Sequence, residues 1–251
     1  MTAERTTTTT LYTVLGSDER PSLIRWCNWW SSPTSFDSYA LVTADGPVAI
    51  DPVEPAPEAE ERLLSLLGGP PKAIVLSNDY HERDAYDLGK KWNAPVWAPA
   101  YGMPDRGGEA EGTPDHLYED GDVLPGGLRV HKIEGGAFAG DTVLVWGAPD
   151  GKRVLFTGDA LNGPFNRANP AGPHPRRGEP GLYLGAGPFY LQRFKPEAFK
   201  ESVRKLLDER VDLICGAHGD PCTQDAAATL RRLLDLEWGP FLEEKRHPVV
   251  R

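Results

Sequence analysis

The chain has 251 residues, 39% hydrophobic and 25% charged, which suits one large domain with a proper core. A formal net charge of -10 disfavours binding to nucleic acid or anionic membranes through overall charge, and no apolar run approaches the length of a membrane span. Three cysteines, Cys27, Cys215 and Cys222, argue against a disulfide framework; with no leader-like segment in view, the expectation is a single domain over 1–251 in a reducing cytoplasm.

In chain order, residues 1–10, with Thr6 to Thr10 in a row, are expected to be frayed. Residues 11–15 read as a first strand. Residues 25–30 (R-W-C-N-W-W) are aromatic, and Trp29 and Trp30 are candidates for the wall of a substrate cleft, beside their plainer reading as core residues. Residues 38–43 and 48–51 flank Asp45-Gly46 and predict a β-hairpin. Residues 58–67 carry leucines at helical spacing behind an acidic first turn. Residues 72–76 (K-A-I-V-L) read as a buried strand, 84–92 as a helix and 94–98 as a strand, followed by a loop over 99–114. Residues 122–124, 128–133, 141–146 and 154–157 look like β segments. Residues 162–187 form a long Gly-, Pro- and Arg-rich stretch, in which Arg167, His174, Arg176 and Arg177 suit either an anion-binding lid or a solvated loop. A helix over 196–209, a strand over 211–218 and a helix over 224–237 complete a pattern that suits a layered α/β sandwich.

Three of these strands end in ligand-type side chains: His81 after 72–76, Asp159 after 154–157, and His218 at the end of 211–218. Two imidazoles and a carboxylate with open positions suit Zn²⁺ or Fe²⁺. Each has a plainer reading. A histidine near a helix start often only forms hydrogen bonds, an aspartate in a turn can accept backbone N–H groups, and a histidine between small residues can pair with a carboxylate. Arg83 is able to pair with Asp51, Asp84 or Asp159 and so take the place of a cation.

Five stretches, in order from Ser38 to Pro221, resemble the metallo-β-lactamase-fold superfamily. The hairpin S-Y-A-L-V-T…V-A-I-D resembles its opening strands, which end in an aspartate near the site. L-S-N-D-Y-H-E-R-D-A-Y-D-L-G stands where the family has T-H-x-H-x-D-H and a helix. E-G-G-A-F-A-G-D-T-V stands for P-G-H-T-x-G-S and its strand. L-F-T-G-D-A-L resembles the bridging-aspartate motif, and I-C-G-A-H-G-D-P the final G-H-G motif. The resemblance implies a four-layer αββα sandwich. Aligned back from the helix, His81 falls on the last histidine of the first motif and Tyr80 on its aspartate, while Ala137 takes the place of the histidine in P-G-H-T. Aligned forward from Leu76 instead, the motif's two leading histidines become Asn78 and Tyr80, and its aspartate and last histidine become Glu82 and Arg83; either way one of the family's two metal positions has lost nearly all its ligands. The equivalents of His81, Asp159 and His218 bind the second metal. The resemblance therefore implies a hydrolase with one divalent ion, zinc or iron, acting on an ester, thioester or similar bond. Asp159 and Asp79 would be its catalytic carboxylates, and Tyr80, Arg83, Trp29 and Trp30 would contact a small-molecule substrate. The alternative is a binding protein that keeps the fold without metal. A homo-oligomer is left open, no nucleic-acid or membrane partner is expected, and β-lactam hydrolysis is disfavoured by the missing ligands.

Overall fold

The computed structural model describes residues 8–29, 36–102, 112–163, 182–184, 193–239, 243 and 249–250. Alternating apolar residues build two large sheets. The first has seven strands in sequence order: β1 (Thr8–Gly16), β2 (Pro21–Trp29), β3 (Phe36–Leu41), β4 (Val48–Ile50), β5 (Ala73–Val75), β6 (Val96–Pro99) and β7 (His116–Tyr118). The second has five, in the order β14 (Leu213–Gly216), β11 (Arg153–Gly158), β10 (Thr142–Gly147), β9 (Leu128–Lys132) and β8 (Val123–Leu124). A small sheet joins β12 (Leu161–Asn162), β13 (Leu182–Leu184) and β15 (Val249–Val250).

The period of two sorts side chains into layers. On β10, Leu144 and Trp146 face the space between the sheets, where they join Leu41, Ile50, Val75, Phe156 and Leu213. Val143 and Val145 point the other way, into a cluster with Phe199, Val203, Leu230 and Leu233. Those last four belong to α3 (Pro196–Arg204) and α4 (Ala226–Asp235). On the outer face of the seven-stranded sheet, Ile24, Ala49 and Ile74 pack against Leu63 of α1 (Pro57–Leu67) and Leu88 and Trp92 of α2 (Ala85–Trp92). The result is an αββα sandwich with three apolar layers. Proline opens α1 and α3, and residues in the left-handed conformation, Gly68 and Asn93, close α1 and α2.

Several expectations change in detail. Thr8–Thr10, expected to be frayed, belong to β1, which pairs with β2 along its whole length. The aromatic stretch is most of a nine-residue strand, β2. The end of the expected loop after β6 leads into β7, held by parallel pairing to β6. Leu182–Leu184, inside the expected long loop, pairs with β12; Arg167, His174, Arg176 and Arg177 lie outside the described residues. Among the described residues no helix is long and apolar enough to cross a membrane.

Two parallel pairs position the site. β4 and β5 run side by side in one sheet, and β11 and β14 in the other. The loops after all four strands carry its residues: Asp51, the segment from Ser77 to Arg83, Asp159, and His218. A crevice beyond the carboxyl ends of parallel strands is where open α/β sheets place their ligands.

Candidate active site

His81 stands between two carboxylates. Its Nδ1 lies 2.8 Å from Oδ2 of Asp51, and its Nε2 lies 3.3 Å from Oδ2 of Asp159. On the far side of Asp159, Nε2 of His218 approaches Oδ1 at 3.3 Å. The structure therefore brings His81, Asp159 and His218 together, with Asp159 between the two rings. His81 and Asp51 are buried, and Asp159 and His218 are partly exposed.

Asp51 was visible in the sequence as a strand end, but its role as the partner of His81 was not. Its Oδ1 accepts the Ser77 backbone N–H at 2.7 Å, and its Oδ2 accepts the Ser77 hydroxyl at 2.5 Å. Gly158 makes room for this contact: it sits at φ +48°, and a Cβ there would collide with the Ser77 hydroxyl. Asp51 and Arg83 are themselves in the left-handed region, at φ +47° and +44°, unusual for side-chain-bearing residues and concentrated here at the site.

Arg83 directs its hydrogen bonds to the backbone. One nitrogen donates to the backbone carbonyls of Asp37 and Asp51, both at 2.9 Å, while Nη2 is buried without a partner. The guanidinium lies over the Phe36 ring, and Phe36 in turn meets His218 edge-on, with centroids 5.5 Å apart. Arg83 thus pins the ends of β3 and β4 and lends positive charge to the site. Asp79 is buried, its Oδ1 accepts the Gly140 N–H at 3.1 Å, and its Oδ2 leaves no room for a Cβ on Gly102. That carboxylate braces two loops. Trp29 ends β2, and Trp30 lies outside the described residues.

Charge follows the geometry. Burial works against ionising His81, but Asp51 and Asp159 outweigh it and push its pKa up to about 9. Burial likewise opposes the charge on Asp51 and Asp159. The imidazoles, with Arg83 and Ser77 at Asp51, hold both carboxyls below their usual range. Asp141 goes the other way. Burial pushes it up to about 7, the Phe138 N–H partly offsets this, and Asp159 and Asp79 add repulsion. The site therefore carries more carboxylates than its imidazoles and Arg83 neutralise with ease.

Both raised groups predict a pH effect of one sign. A group with a raised folded pKa holds its proton longer when folded. Its stabilisation is full below the unfolded pKa and is lost as pH rises through the folded one. For Asp141 that window runs from about 4 to about 7, and for His81 from about 6.5 to about 9. Asp141→Asn keeps an oxygen for the Phe138 N–H and removes the first window. It should stabilise the protein at pH 8, by at most about 4 kcal/mol, and change little at pH 4. Urea denaturation of both forms at the two pH values checks this; equal effects at both would contradict it.

The resemblance implies two metal positions, and these residues suit them unequally. The first does not suit an ion. The Asn78 side-chain oxygen Oδ1 accepts the Tyr80 N–H at 2.8 Å, and its Nδ2, a donor, is buried without a partner. Tyr80 leans on Phe138 with centroids 4.7 Å apart, and Ala137 and Phe138 are buried in the outer apolar layer. The second suits one ion by its donors. Among the described residues no three His, Cys, Asp or Glu side chains already surround a common point. Each imidazole meets a different oxygen of Asp159, and Oδ1 is buried without an aligned hydrogen bond. Each imidazole–carboxylate separation of 3.3 Å has the length of a tetrahedron edge with metal–donor bonds of about 2.0–2.1 Å, but the two edges end on different oxygens of Asp159. The Asp51 contact to Nδ1 leaves Nε2 of His81 for a ligand role, as a carboxylate behind a metal-binding histidine does.

No known family profile matches the chain, and no curated protein sequence matches it. Solved structures do. A metallo-β-lactamase from Pontibacter korlensis superimposes with a TM-score of 0.62 at 16% identity, covering 91% of this chain and 100% of that one. The chain has the metallo-β-lactamase fold. A second neighbour with that fold, solved in a di-iron-bound form, covers 80% of this chain and 94% of its own at 22% identity and a TM-score of 0.54. A metallo-β-lactamase from Cronobacter sakazakii described by a HARLDQ motif matches at 16% identity and a TM-score of 0.53, covering 83% of this chain and 80% of that one. Within the metallo-β-lactamase fold, the loops after β4, β5, β11 and β14 are the ones that carry this chain's imidazole and carboxylate cluster.

Proposed function

We propose that the chain is a hydrolase of an ester, thioester or similar acyl bond in a small molecule, using one divalent ion, zinc or iron, held by His81, Asp159 and His218. The observation that carries this reading is the convergence of both Nε2 atoms on the Asp159 carboxylate, each at 3.3 Å. When bound, such an ion supplies Lewis-acid chemistry and lowers the pKa of water at the site. Asp51 orients His81, and the partial exposure of Asp159 and His218 opens the site to a substrate. Tyr80, half-buried on Phe138, walls the side where a second ion would have stood. With one ion, the leaving group gets no metal clamp of its own, so activated esters and thioesters are preferred to phosphodiesters and β-lactams.

Metal content after purification without chelator, followed by assays with nitrophenyl esters, thioesters, a bis-nitrophenyl phosphodiester and a chromogenic β-lactam, tests this. Ester turnover should require one ion per chain and fall roughly 100-fold or more in Asp159→Ala and in His218→Ala. Turnover unchanged in both variants would refute the assignment. One observation favours a second reading, a metal-independent binding protein: His81, held protonated between Asp51 and Asp159, supplies a cation by itself. A chain that stays metal-free under saturating Zn²⁺, Mn²⁺ and Fe²⁺ would select it.

A further inference from the structure

A partly buried ion-pair network lies behind the site. Arg25, in the middle of β2, is 2% exposed. Its guanidinium divides between two carboxylates: Nη2 meets Asp37 at 3.1 Å and Nη1 meets Asp220 at 2.6 Å. The Tyr12 ring lies 5.2 Å from its centre. Burial works against the Arg25 charge, but Asp37 and its neighbours outweigh it and raise the pKa well above the ordinary value. Such a network is a poor device for stability, because well-packed apolar side chains of similar volume often serve as well or better.

Its placement gives it another use. Asp37 grips the segment after β14 directly, since its backbone N–H donates to the Ala217 carbonyl at 2.9 Å. Its carboxylate holds Arg25, and Arg25 holds Asp220. The segment is thereby fixed at Ala217 and at Asp220, with His218 between the two grips. Phe36, next to Asp37, sets the edge of its ring against the imidazole of His218. Elements of the seven-stranded sheet thus hold in place a ligand-bearing loop of the five-stranded sheet. Two carboxylates in different directions require the planar fork of arginine, which lysine lacks.

We propose that Arg25 is a positioning residue that, through Asp37 and Asp220, fixes the His218 imidazole against Asp159. The link to metal affinity rests on the hydrolase reading; the link to the imidazole does not. The experiment uses the full chain, metal-free, with Arg25→Met, Asp220→Asn, and Leu230→Ala as a core control. Asp220 is 41% exposed, so its variant tests the clamp even where Arg25→Met fails to fold. Imidazole nitrogen resonances are recorded for each. The His218 signals should shift or split in Arg25→Met and in Asp220→Asn, while those of His116 and His131 stay in place and the Leu230→Ala spectrum matches wild type. Unmoved His218 signals in Asp220→Asn, or equal movement in Leu230→Ala, would overturn the proposal. A parallel Co²⁺ titration should show affinity about 10- to 100-fold weaker in Asp220→Asn. Wild type that binds no Co²⁺ would sink the hydrolase reading alone, with the resonance comparison still deciding the clamp. Equal Co²⁺ affinity in wild type and Asp220→Asn would count against the clamp.

Discussion

Asp51→Ala should cost about 3–5 kcal/mol of stability at pH 6, the range expected when one partner of a buried charge pair is removed. Asp51 accepts the Ser77 N–H, the Ser77 hydroxyl and the His81 ring, all in the interior. The substitution takes the acceptor from three donors at once, of which only the Ser77 hydroxyl and His81 Nδ1, 3.1 Å apart, can turn to each other, and it leaves the His81 and Arg83 charges facing each other. The loss has a pH signature. The Asp51 carboxyl is held below its usual range, so its contribution is present above about pH 4 and fades as pH falls through its lowered value. That of His81 is present below about 6.5 and fades as pH rises through about 9. The penalty should therefore be greatest between about pH 4 and 6.5 and smaller above 9. Denaturant titrations of both forms across that range measure it, with the denaturant slope checked for constancy. A cost under about 1 kcal/mol at pH 6 would mean that water replaces the carboxylate without difficulty.

Gly163→Ala should be nearly as damaging, by a different route. The Gly163 N–H donates to the His218 carbonyl at 3.1 Å, and a Cβ at this position would overlap the backbone carbonyl of Asp220. Neither partner is the movable tip of a side chain, so the loop of residues 217–220 must shift. The expected cost is about 3 kcal/mol, the upper end for overpacking. The loss should be accompanied by displaced His218 resonances, since the same loop carries that ring. A variant as stable as wild type with an unmoved His218 would show that the loop has slack.

The parts legible in the sequence were those with local periodicity. The hairpin around Asp45-Gly46, the leucine-spaced helices and the strands of the second sheet carry patterns of two or 3.6 within a few residues. The order of strand ends also named His81, Asp159 and His218, because each polar side chain follows within a few residues of an apolar run. What escaped depends on distant partners. β7, β12, β13 and β15 are four residues or shorter, and such strands exist only through pairing with segments far along the chain. Arg25 had a signal, a charge set among apolar residues in L-I-R-W-C, which marks a buried side chain needing partners. Nothing local points to Asp37 and Asp220 as those partners. By sequence Arg83 is able to pair with Asp51, Asp84 or Asp159; its hydrogen bonds go to the backbone carbonyls of Asp37 and Asp51, while its charge helps to hold the Asp51 carboxyl below its usual range.

The two parallel strand pairs have a consequence for folding. One contributes Asp51 and His81, the other Asp159 and His218, and the pairs belong to different sheets. No fragment holding a single sheet contains the cluster, so the site comes into being only when the two halves dock. Contacts so distant in sequence are slow to form, because long loops must close first. A molecule bound there therefore recognises only the docked chain. It cannot template either half, but it fastens them together like a clasp, raising the melting temperature with concentration.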